Sequence, residues 1–419
     1  MATDVDVQYF SHLNGLTLGN NWGDLIRLLD KALVTGIDFT QITAASIDAQ
    51  GDVHITLYAA HNAMLFQVVE LTGFAPASLN QKYRIKGVPN TTQLILKPAL
   101  DIAERTITTI GAGKLASLGY EIIFRDANDV KRVYRAKNPT VQHPFIRVDE
   151  TISDGVNSYT STYAKSAMVG LLENMTHIDD YQNPDVLQLP FDPADLSKNW
   201  KITGNGSNVV KGWMRWHYAS ALSNESNTPN NGNRNFSIFG DKDSFYLQLA
   251  YDPNNPAFSY LYGAGMYTKS LIDNVIPSWY LMGYLSTSAA SNIILSGART
   301  NNVGSTPLMG NANSSSFFVP KSLPAQKLSG HSIANIITPD YNSGNNSLTP
   351  SSNHPALEIP FYADGFLLGN LKHIAWLGKT YKPNACTPII SGSSLYICFP
   401  VISLSNPASL TAYLGELYS

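Results

Sequence analysis

Between residues 53 and 98 four short strand-like runs follow one another, VHITLYA, LFQVVELTG, QKYRIKGV and TQLILKP, the later ones separated only by GFAPASLN and PN. In the first run Val53, Ile55 and Leu57 alternate with His54, Thr56 and Tyr58, the period-2 pattern of a half-buried strand. Parallel neighbours need crossovers of about a dozen residues or more, which these turns do not supply. The run therefore predicts a small antiparallel, barrel-like sheet.

One helix precedes it. In NNWGDLIRLLDKALVTG the residues Leu25, Leu28, Leu29, Ala32 and Leu33 recur at the spacing of one helical face, Ile26 widens the stripe, Asn21 is placed to cap the start, and Gly36 lies just past the end. The stripe suits packing on its own domain. A second use is docking on another subunit, with Trp22, Leu25, Leu28 and Leu29 as the interface.

After the small sheet come YEIIFRDANDVKRVYRAKN, two strands around DAND, and HPFIRVDE. From about residue 155 the texture changes to aromatic strand candidates, among them GWMRWHYASA, NFSIFG, SFYLQLAY, SYLYGAGMY, SWYLMGYLS, NIILSG, GFLLG, HIAWLG and LYICFPVI. Long neutral loops separate them, including TNNVGSTPLMGNANSSS and DYNSGNNSLTPSSNH. At 419 residues more than one folded unit is expected. The expected fold is mainly β: an N-terminal arm and docking helix over 1–36, a small antiparallel β-barrel-like domain with a hairpin over 37–150, and a larger β-sandwich-like domain with long loops over 151–419. Removing 1–36 should then leave the larger domain folded.

Charged residues are only 14% of the chain, and 28 Lys+Arg against 31 Asp+Glu leave a net charge of -3. No global basic field exists to attract nucleic acid or an anionic membrane, and weak self-repulsion suits a chain whose surfaces meet neighbours. No run is long and apolar enough for a membrane span, so no membrane insertion is expected. MATDVDVQYF has neither the basic start nor the apolar stretch of a signal peptide. The two cysteines, Cys386 and Cys398, are too few to scaffold such a chain.

Several segments invite a chemical reading. TITTIGAGKLASLG resembles part of a phosphate-binding loop, yet Leu115 stands where Ser or Thr would hold magnesium and Thr108 where the first glycine belongs. A strand over Ile107–Ile110 and a glycine connection fit it better. GHSIA faintly matches a nucleophile elbow at Ser332, but lacks the strand-to-helix setting. THIDD, residues 176–180, offers side chains a cation could touch. The cluster Lys131, Arg132, Arg135 and Lys137 is mixed with acids and reads as a solvated or subunit-facing hairpin. No catalytic, cofactor-binding or metal-binding residues are assigned, no cofactor is expected, and the chain is not expected to be an enzyme.

Taken in order, NWGDLIRLLDKALVTG, the stretch from HITLYA to TQLILK, and DVKRVYRAKNPTVQHPFIRVDE resemble the opening of a widespread family of structural proteins encoded by tailed bacteriophages. The similar positions are Trp22, Gly23, Asp24, Leu25, Ile26, Leu29 and Asp30 in the helix, and Thr72, Gly73, Leu79, Asn80, Tyr83 and Ile85 in the small β-domain. Lys131 to Arg135 and Arg147 to Glu150 extend the match, and NFSIFGDKDSFYLQLAY continues the likeness more weakly. The resemblance implies a non-enzymatic virion component of the neck, collar or tail, assembled in the host cytoplasm, whose partners are other virion proteins and copies of itself. The alternative is a receptor- or glycan-binding tail adhesin that stacks sugars on Trp213, Trp216 or Tyr218, although aromatics alternating on one strand face belong more often to a core.

Overall fold

The computed structural model describes residues 3–153, 162–203, 210–211, 214–220, 228–250, 252–254, 256, 259–270, 277–285, 316–321, 330–337, 357–377, 386–402 and 407–418. The fold is mainly β, as expected. Its first sheet is a seven-stranded half-barrel in the order Ile37–Asp38, Ala112–Leu115, Val68–Thr72, Lys82–Asn90, Gln93–Pro98, Val53–Leu57 and Ile42–Ile47. Every neighbouring pair is antiparallel.

The expected boundary at residue 150 is corrected by the second sheet. Tyr120–Arg125, Lys131–Ala136 and Phe145–Asp149 leave the half-barrel and continue into Lys165–Leu172, Met214–Ala219 and Tyr284–Leu285. Phe145–Asp149 and Lys165–Leu172 are buried at every position, so neither could serve as an exposed domain edge. The half-barrel ends at Leu115, and the hairpin is part of the second sheet.

A 13-stranded sheet and a separate two-stranded pair, Ile202–Thr203 with Val210–Lys211, make up the rest of the described strands. The long sheet starts with Gln8–Ser11 paired to Phe236–Gly240, passes through Ser244–Ala250, Ser259–Met266 and Trp279–Met282, and ends with Pro407–Glu416, Ser394–Ile402 and Thr387–Ser391. The hairpin expected around GDKD is present, with Phe236 opposite Leu249. The sheet folds back on itself, because the Phe239 ring near its start stacks on Phe399 near its end at 5.3 Å. Its two inner faces share one core that includes Tyr9, Phe361 and Leu414. The strand expected at NIILSG, and almost all of the loops 300–316 and 340–354, lie outside the described residues.

The helix runs as an α-helix over Asp24–Leu29 and widens to a π-helical turn over Asp30–Thr35. Leu25, Ile26, Leu28, Leu29, Ala32 and Leu33 are all buried. A helix apolar on so much of its circumference is enclosed on several sides. It shares one core with Leu71 and Leu115 of the half-barrel, Tyr134 and Val148 of the second sheet, and Phe245 of the long sheet. The segment 1–36 is thus no separable arm: Gln8–Ser11 is a strand of the long sheet and the helix stands where three sheets meet.

Candidate functional site

The helix, the strand Lys131–Ala136 and Glu150 meet at one buried polar junction. At the helix start the backbone N–H of Ile26 donates to Glu150 Oε1 at 2.8 Å, and the N–H of Gly23 makes a very short bond to Oε2. The Tyr218 hydroxyl lies 2.9 Å from the same Oε2 and 3.0 Å from the carbonyl of Asn21. Glu150 therefore caps the helix from another sheet. Asn21 does not act as the cap: its own N–H donates to Asp24 Oδ2 at 2.8 Å.

One turn on, Asp30 accepts from the Tyr134 hydroxyl at 2.8 Å and from Arg132 Nε at 3.2 Å. Arg132 reaches Asp129 at 2.6 Å as well, and it is almost wholly buried. Burial pushes the Glu150 carboxyl up to about 7, against the opposing pull of the Ile26, Tyr218 and Gly23 hydrogen bonds. Burial and the neighbouring Asp30 charge likewise raise the Tyr134 phenol. The junction's polar groups are occupied in holding the helix to the second sheet.

This arrangement corrects the docking interface. Leu25, Leu28 and Leu29 are at most 2% exposed, so they pack inside the chain and cannot meet another subunit, whereas Trp22 is 39% exposed. The proposed glycan contacts are corrected in the same way. Trp216 is stacked on Tyr262 at 5.4 Å and donates through Nε1 to the Met282 carbonyl at 2.9 Å; Tyr218 is committed to the Glu150 junction. Both are fully buried. Trp213 lies outside the described residues.

The GAGK segment is a strand, Ala112–Leu115, rather than a connection, and Ile107–Ile110 contributes only an isolated bridge from Thr109 to Ala75. Gly111 admits a close backbone approach: a Cβ there would sit 2.0 Å from the Thr72 carbonyl oxygen. Lys114 pairs with Glu70 of the adjacent strand at 3.3 Å. Ser332 lies within the strand His331–Ile336 and donates to Asp364, while the neighbouring His331 bonds to the backbone of Phe191. In the THIDD loop Asp179 is taken by Arg147 and by Lys131 at 2.9 Å, and Asp180 accepts from Thr176. Arg147 lies over the adjoining rings of Tyr181 and Trp200, and Arg135 lies on the Phe145 ring.

Among the described residues no group of three or more His, Cys, Asp or Glu is arranged to hold a metal ion, and no helix is long and apolar enough to cross a membrane. Neither Cys386 nor Cys398 is in a disulfide. Where the two ends of the long sheet meet, a small cavity of about 30 Å³ opens to solvent. Its polar lining comes from His12, Asn235, Ser237, Gln248, Ser259 and Cys386, and its apolar lining from Phe236, Leu249, Pro256 and Phe399. The sequence held no local sign of it, because its walls come from strands more than a hundred residues apart: Ser237 Oγ and Cys386 Sγ stand 3.7 Å from each other.

No family model matches the sequence, and no curated protein is similar to it. Among solved structures, a similar chain is the Phage phi92 endosialidase, with 10% sequence identity and a TM-score of 0.14, over 97% of this chain and 52% of that one. This chain thus spans about half the length of that neighbour. A likeness of that degree does not define a shared fold.

Proposed function

We propose that this chain is a non-enzymatic structural component of a tailed-bacteriophage virion, standing in the neck, collar or tail among other virion proteins and copies of itself. The supporting observation is the junction. Asp30, Arg132, Tyr134 and Glu150 belong to the segments that resemble tailed-phage structural proteins, and they meet around one helix although they are far apart in sequence. Their side chains are spent on internal hydrogen bonds and ion pairs, as suits residues kept for architecture. The low charge of 14% is consistent with surfaces that meet neighbours.

Mass spectrometry of purified particles, with light scattering of the recombinant chain, tests the reading. The chain should be present in intact virions and should assemble beyond a monomer. Absence from particles together with a monomeric state overturns the proposal. Inhibition of phage adsorption by the free chain would favour the adhesin instead.

A further inference from the structure

We propose that the free edge of the half-barrel, the strand Ile42–Ile47, pairs antiparallel with the same edge of a second copy of this chain. The proposal rests on the self-association in the virion reading and gives it a place, and the purified chain tests it.

Ile42–Ile47 stands at one end of the half-barrel, with a strand on one side only among the described residues. The direction of its backbone groups follows from its neighbours. Leu57 N–H donates to the Thr92 carbonyl, so the odd residues of Val53–Leu57 bond towards Gln93–Pro98 and the even ones, His54 and Thr56, bond towards Ile42–Ile47. Ser46 and Ala44 stand opposite those two and bond inward. The N–H and C=O groups of Ala45 and Ile47 therefore point away from the sheet, where they meet no strand among the described residues. The register breaks only near the start, between Ile42 and Ala44.

The other sheet ends are guarded against a further strand. Gln8–Ser11 is buried at every position, Thr387–Ser391 carries Pro388, and Tyr120–Arg125 carries Glu121 and Arg125. Ile37–Asp38 and Tyr284–Leu285 are only two residues long. Ile42–Ile47 has neither proline nor charge, and its Thr43, Ala44 and Ser46 are exposed. The nearest charges are already engaged, Asp48 with His54 at 3.0 Å and Arg105 with the Asp48 and Ala49 carbonyls at 2.9 Å. Unpaired backbone groups in a row are met by another strand, and an identical uncharged edge brings no like-charge repulsion.

A two-fold axis at Ser46 makes the pairing self-complementary. Ala45 then exchanges hydrogen bonds with Ile47 of the copy, and Ile47 with its Ala45, a small side chain beside a large one each time. The two Ser46 side chains face each other in a pair without hydrogen bonds. Cβ atoms in such pairs lie at the close end of about 4.5–5.5 Å, near the span of a disulfide.

Light scattering of the full chain over a dilution series, with Ser46→Lys and Ser46→Cys beside it, is the test. The wild type should form a dimer that dissociates on dilution, because so short a strand pair buries less than a standard interface. Ser46→Lys sets two ammonium groups against each other and should raise the dissociation constant at least about tenfold, with circular dichroism unchanged. Ser46→Cys should form a disulfide-linked dimer on mild oxidation, and Val141→Cys, at a position 91% exposed in another part of the chain, should not. The proposal is overturned if the wild type is monomeric throughout, if folded Ser46→Lys leaves the masses unchanged, or if Ser46→Cys cross-links no faster than Val141→Cys. Should Ser46→Lys misfold, the two cysteine variants decide. A chain that is present in virions and self-associates without the Ser46 cross-link excludes this edge and leaves the virion reading standing.

Discussion

Glu150 caps the start of the helix without belonging to it, and that position makes its proton a reporter of the junction. Burial lifts its carboxyl to about 7 from an ordinary value of 4.5, so the folded chain holds the proton more tightly than the unfolded one. The stabilisation from this group is complete below the unfolded value and is withdrawn as the pH rises from 4.5 through about 7. The shift corresponds to on the order of 3 kcal/mol. Urea midpoints of the wild type should fall relative to those of Glu150→Gln between about pH 5 and about pH 8; parallel curves would show that the carboxylate stays ionised in the fold. Arg84 is the second residue of this kind. Fully buried, it donates to the carbonyls of Asp4, Val7, Phe66 and Leu414 and so ties both chain ends to the half-barrel. Arg84→Met should cost about 3–5 kcal/mol in thermal denaturation. Lysine should not restore it, because a single ammonium cannot spread its donors over the same fork.

At the scale of elements, the apolar spacing of the helix was legible and its cap was not. Leu25, Leu28, Leu29, Ala32 and Leu33 announced a buried face, and Ile26 was the sign that the face is too wide for a surface helix. A capping motif is read within a few residues, but Ile26 takes its cap from Glu150, 124 residues away. The exit of the helix is a sterically fixed point. Gly36 has φ +73°, and a Cβ there would lie 2.1 Å from the Leu115 carbonyl oxygen. Gly36→Ala should therefore separate the helix from the half-barrel and lower the melting temperature by far more than an exposed substitution, which is typically worth only about 0.5 kcal/mol. A second joint links the second sheet to the long one. Thr140 N–H donates to His143 Nδ1 at 2.9 Å, leaving Nε2–H to donate to Asp243 at 2.8 Å, and Lys372 meets the same carboxylate at 2.7 Å. The His143 bond, together with Lys372, holds Asp243 well below its ordinary 3.8. Its contribution is present above that value and lost as the pH falls through the folded one. Acid titration monitored by circular dichroism should find the gap between wild type and Asp243→Asn closing below about pH 3; a constant gap would remove Asp243 from the joint.

For the whole molecule, strand content and antiparallel pairing came from short alternating runs and tight turns, whereas the boundaries did not. Alternation says which face of a strand is buried, and it is silent on which distant strand pairs with it: nothing local in QYFS points to FSIFG. The same silence hid the burial of Trp216, whose partner Tyr262 comes from another sheet. The larger sheet is completed by Gln8–Ser11, so deleting 1–36 should yield an insoluble or proteolysed chain. A soluble truncation with native circular dichroism would contradict this. One contact reaches further. The hydroxyl of Thr3 and the N–H of Asp4 both donate to the Glu416 carbonyl, so the two described ends of the chain leave the fold side by side. A tether of a few residues would close the backbone into a ring with both cores intact, and anything fused to one end would stand beside whatever is fused to the other.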